Sequence, residues 1–131
     1  LRGPFGEGAR ANGNSIFLFE VAGLCIVHLG HLHQPLSEAQ RAAIGRVDVV
    51  MVPVDGGYTM DIDTMAGVIT DLRARLILPM HWFSGRSLEV FLARAAGRFD
   101  VVETGLPEIE VSRARLPARP TIVVLSPALL P

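Results

Sequence analysis

The chain is poor in cysteine, in aromatic residues and in net charge, and no apolar stretch in it runs long unbroken. Its single cysteine, Cys25, excludes an internal disulfide and fits a reducing, cytoplasmic setting. Basic and acidic side chains number 12 and 13, for a net charge of −1. The arginines are interspersed with acids, so no stripe suited to a phosphate backbone forms, and nucleic acid is not expected as a partner. No apolar run approaches the roughly 20 residues that cross a bilayer. The opening Leu1-Arg2-Gly3-Pro4-Phe5 has no apolar core behind its charge, so no signal peptide is expected. A start at Leu1 inside a glycine-rich loop is the expectation for a fragment or processed product.

Nucleophile chemistry lacks its signatures as well. There is no G-x-S-x-G, and Ser84-Gly85 follows the wrong element. Cys25 and His28 are three residues apart on one strand and project from opposite faces, so they form no dyad. Cys25 reads as a small buried hydrophobe. The G-x-G-x-x-A string at residues 6–11 has no strand before it and no helix after it, which a dinucleotide fingerprint requires.

What is present amounts to one domain, residues 1–131, long enough to bury about two-thirds of its unfolded surface. Half of the residues are hydrophobic and mean hydropathy is +0.39. That balance predicts strands covered on both faces. Residues 1–14, rich in glycine and asparagine, read as a loop. A hairpin is predicted from strands at 15–21 and 24–29 around the Ala22-Gly23 turn. Ser37 caps a short helix that stops at Gly45. Residues 47–54 (V-D-V-V-M-V-P-V) read as a buried strand closed by Asp55-Gly56-Gly57. Asp61 or Asp63 caps a helix to about residue 74, with Met65, Val68, Ile69 and Leu72 at helical spacing. A strand over 75–80, a helix over 87–96 and short strands at 99–103, 109–112 and 121–125 complete the pattern. Helix and strand alternate after the hairpin, as in a layered α/β domain.

All four histidines lie in two places. His28, His31 and His33 stand in H-L-G-H-L-H, and His81 stands in L-P-M-H-W. Both places are where an apolar strand breaks, and neutral imidazole at a strand end is a good ligand for zinc or iron. Gly30 permits the break that frees His31 and His33 into the loop. His28, on the apolar face of its strand, fits a hydrogen-bonded role behind the ligands better than ligation. Asp55 could touch a metal or orient a histidine, although a turn role for it is the simpler reading. The bland alternative for the whole cluster is local packing and hydrogen bonding.

Three blocks, E-V-A-G-L-C-I-V-H-L-G-H-L-H, I-G-R-V-D-V-V-M-V-P-V-D-G-G-Y-T-M-D and R-L-I-L-P-M-H-W-F, resemble in this order the C-terminal half of a metallo-β-lactamase-fold hydrolase. The bacterial ascorbate-lactonase-like branch is the most similar. The resemblance implies an αββα sandwich of which this chain is one half, a mixed sheet with helices on one face. It also implies a divalent metal at the strand ends, zinc first, with manganese or iron as alternatives. The family's ligands run in order as a His-x-His-x-Asp-His loop, a further histidine, an aspartate in a Gly-Asp step and a final histidine. His81 matches the last, and Gly30-His31 matches the Gly-Asp step with an imidazole in place of the carboxylate. A carboxylate can bridge two cations and neutralise charge, whereas a neutral imidazole does neither. His33 is a substitute ligand. The His-x-His-x-Asp-His loop is absent from this chain.

The resemblance therefore implies metal-dependent hydrolysis of a small ester, lactone, amide or phosphoester by the intact protein, with little activity in this chain alone. The missing N-terminal half, or a second copy of the chain, would cover an exposed apolar sheet face. The rival is a non-catalytic metal-binding or interaction module with a degenerate site. A nuclease of the same superfamily is disfavoured by the lack of a basic surface.

Overall fold

The computed structural model describes residues 16–30, 32, 35–54, 62–80 and 85–126. Six strands form one sheet: β1 (Phe17–Val21), β2 (Leu24–His28), β3 (Val49–Pro53), β4 (Leu76–Met80), β5 (Asp100–Glu103) and β6 (Thr121–Val124). Their order is β1-β2-β3-β4-β6-β5. Only the first pair, joined by the Ala22-Gly23 turn, is antiparallel; the remaining pairs are parallel. The parallel pairs β2–β3 and β3–β4 are linked through α1 (Glu38–Ile44) and α2 (Ile62–Leu72), and α3 (Gly85–Ala95) follows β4. This is the layered α/β arrangement that the sequence pattern predicts, in the form of the mixed sheet with helices on one face that the resemblance implies.

Strand alternation sorts the side chains by face. Val27, Leu29, Val50, Val52, Val54, Ile77, Ile122 and Val124 point to the helix layer. They meet Ile44 of α1, Met65, Val68, Ile69 and Leu72 of α2, and Leu88, Phe91 and Ala95 of α3 in one core. On the other face Val49, Leu76 and Val123 form a small second cluster, covered by Ile109, Val111 and Leu116.

Local chemistry sets both ends of α1. The Ser37 hydroxyl accepts from the Gln40 amide while the Gln40 side chain accepts from the Ser37 amide, a reciprocal capping box. Gly45, at φ +68°, ends α1 with its amide on the Arg41 carbonyl. Surface ion pairs tie the helices together, Arg41 to Asp71 at 3.7 Å and Arg94 to Asp63 at 3.2 Å.

Five expectations change. Asp63 lies within the first turn of α2, where its charge complements the helix dipole, and does not cap it; Asp61 lies outside the described residues. Helix α2 stops at Leu72 because Arg73 turns to φ +57°, and α3 starts at Gly85 rather than at 87. Residues 109–112 form no strand: Ile109 and Val111 pack from an irregular segment onto the second cluster. Cys25 is half-exposed rather than buried, and its Sγ accepts from the Arg46 guanidinium at 3.3 Å.

Candidate functional site

The two ends of the parallel strands differ in kind. At the N-terminal end Asp48 joins three strands. Its amide donates to the Cys25 carbonyl at 2.8 Å, and its carboxylate accepts from the Cys25 amide at 2.8 Å. Its carbonyl accepts from the amides of Arg75 and Leu76. Arg46 lies 3.2 Å from the same carboxylate and, like Arg113, donates to the Gly23 carbonyl. The hydrogen bond to Cys25 Sγ, then the Asp48 charge, holds the Arg46 guanidinium above its ordinary range, so it stays cationic. These groups satisfy one another, so this end is structural.

The C-terminal end is where ligand sites of open parallel sheets form. Register aligns His28 of β2 with Met51 of β3, and Met51 with Leu78 of β4. Leu29 then donates to the Met51 carbonyl at 3.1 Å, and Val54 to the Met80 carbonyl at 2.9 Å. Counted along the chain from that common level, His31 and His81 each stand three residues on and Asp55 four. Three neighbouring strands therefore lead into the candidates at one sheet edge. His31, His33, Asp55 and His81 themselves lie outside the described residues.

His28 is described. Its Nδ1 accepts the Gly30 amide at 3.1 Å. Gly30 takes φ +61°, a left-handed conformation that a side chain would strain. Leu29 and Leu32, on either side of this turn, are both buried in the helix-side core. Sequence reasoning passed over Asp48, whose role is non-local; the one visible signal was a lone acid inside an apolar strand.

Among the described residues no group of three or more His, Cys, Asp or Glu side chains could hold a metal ion. A cavity of about 280 Å³ between α1 and α2, lined by Leu36, Arg41, Gly67 and Asp71, lies on the helix layer. No helix among the described residues is long and apolar enough to cross a membrane.

Fold and strand-edge geometry together define a layered α/β domain whose candidate site sits beyond the C-terminal ends of β2, β3 and β4. The model of the beta-lactamase superfamily domain matches residues 4–81, more than half of the chain. The chain belongs to that superfamily. Its structure is similar to that of a candidate Zn-dependent hydrolase of the metallo-beta-lactamase superfamily from Thermotoga maritima. The two share 30% identity at a TM-score of 0.70 over 86% of this chain. The match spans 58% of the Thermotoga protein. None of the curated proteins matches this chain.

Proposed function

We propose that this chain carries one wall of the active site of a metal-dependent hydrolase acting on a small ester, lactone, amide or phosphoester. The observation that supports it most is the register that levels His28, Met51 and Leu78 on neighbouring strands, from which His31 and His81 are three residues further along the sequence and Asp55 four. Membership of the superfamily and the description of the Thermotoga relative as Zn-dependent favour zinc as the ion. The ascorbate-lactonase-like branch is our choice within the superfamily, so a lactone is the first substrate to try. His31 and His81 are the proposed ligands, with His33 as the substitute and Asp55 as their support. The other wall would come from an N-terminal half seated on the half-exposed sheet face of Phe17, Phe19, Ile26, Met51 and Leu78.

Zinc titration by calorimetry tests the ligand assignment. The chain is expected to bind zinc with proton release, and His31→Ala with His81→Ala to abolish the binding. Equal heats from the chain and the double variant would overturn it. Hydrolysis is then assayed on a panel of lactone, ester, amide and phosphoester substrates, with and without the N-terminal half of a relative supplied in trans. Turnover that needs both parts supports the reading; robust turnover by the chain alone would refute its division of the site.

A further inference from the structure

We propose that His28 is a positioning residue that acts on the backbone: its imidazole locks the turn by which β2 leaves the sheet and so sets the chain's path into His31. The inference rests on the site reading above for its bearing on function, but its own geometry is independent of that reading.

The hydrogen bond from Gly30 N–H to His28 Nδ1 carries the argument. An amide N–H can only donate, so Nδ1 must present a lone pair. The neutral ring therefore holds its proton on Nε2. This assignment has two consequences. Nδ1 is occupied and cannot ligate an ion. Nor can His28 serve as a ligand through Nε2 in the ordinary way, in which the other ring nitrogen carries a proton and donates it to a carbonyl or carboxylate.

What the ring does instead is local. Gly30 sits at φ +61°, and an acceptor two residues upstream is how short polar side chains stabilise turns of this kind. Leu29 donates to Met51 and Leu32 is buried in the core, so position 31 is bracketed by anchored residues. The Gly30 peptide is the left-handed step after Leu29, and the imidazole holds it. A leucine or phenylalanine would fill the same apolar face of β2 without supplying that acceptor.

Nitrogen-15 NMR of the ring in the intact chain tests the tautomer directly. The expected pattern has an unprotonated Nδ1 and a protonated Nε2; the opposite tautomer would overturn the inference. His28→Phe should speed hydrogen exchange at the Gly30 amide roughly five- to tenfold while leaving Val27 and Val50 unchanged. His28→Asn, whose side-chain oxygen can reach the amide two residues on, should restore most of the protection. A folded His28→Phe chain with Gly30 exchange unaltered would refute the proposal. If that variant does not fold, the wild-type tautomer still decides. Zinc affinity read on the same variants should fall about tenfold in His28→Phe and recover in His28→Asn. Should the wild-type chain bind no zinc, the proposed function fails, while the tautomer and the Gly30 exchange still judge the role of His28.

Discussion

The two faces of the sheet are built from the same strands, yet one is finished and the other is not. On the helix side, Val50, Val52, Ile77, Ile122 and Phe91 are fully buried in a continuous core. On the opposite side the buried apolar cluster is small, Val49, Leu76 and Val123 beneath the segment that carries Ile109, Val111 and Leu116. Towards β1 that cover stops, and Phe17 and Val21 are left 37% and 56% exposed. The aliphatic content of β2 to β4 is alike on both faces, so the difference lies in what covers them. A sheet patterned for burial on both sides with one side half-covered is the face on which the proposed second wall would sit.

The sharpest way to break this contrast is to empty the finished face. Phe91→Ala removes a fully buried ring between α3 and the sheet, with an expected loss of about 3–5 kcal/mol by urea denaturation. Phe19→Ala, on the open face, should cost under about 1.5 kcal/mol, because that ring is already partly in water. Comparable losses from both substitutions would mean that the open face is covered in solution.

Next in size is the N-terminal end of the strands. Asp48→Ala leaves the Cys25 amide without its acceptor, at an expected cost of about 1–3 kcal/mol. Asp48→Asn keeps an oxygen there and should lose less. If the two variants lose equally, the ion pair with Arg46, rather than the amide hydrogen bond, holds this end together.

A third test reads association instead of stability. Sedimentation of the chain should show concentration-dependent self-association through the open face, and Phe17→Ser with Phe19→Ser should shift it towards monomer. The two rings stack at 6.4 Å on that face, so the pair is altered together. A wild-type chain that sediments as a monomer at every concentration would remove the need for a further layer.

Much of this was legible in the residues because the signals are local. Periodicity placed Met65, Val68, Ile69 and Leu72 on the buried face of α2, and all four are buried. Ser37 and Gly45 marked both ends of α1 through side-chain and left-handed caps that depend on a few neighbours. The failures are non-local. Ile109 and Val111 alternate as a strand would, but alternation encodes a face, not a partner, and β5 already lies beside β6. Asp48 passes in the sequence for one more residue of the buried strand because its hydrogen-bond partner lies 23 residues away. As for the site, the sequence identified which strand ends carry the histidines; the register that levels those ends could be seen only once the strands were paired.

The smallest expected effect probes whether the helix layer is the outermost one. Gly67 lies in the interior of α2, where glycine costs about 1 kcal/mol relative to alanine through backbone entropy. A β-carbon built there meets no atom within 4 Å, and the position faces the cavity beside Leu36 and Arg41. Nothing described in the fold repays the glycine. Gly67→Ala should therefore stabilise the chain by about 0.5–1 kcal/mol in urea denaturation, in contrast to every substitution above. A loss instead of a gain would mean that something packs closely against α2 at this point. The finished face would then have a neighbour of its own, and the contrast between the two sides of the sheet would no longer separate an inner face from an outer one.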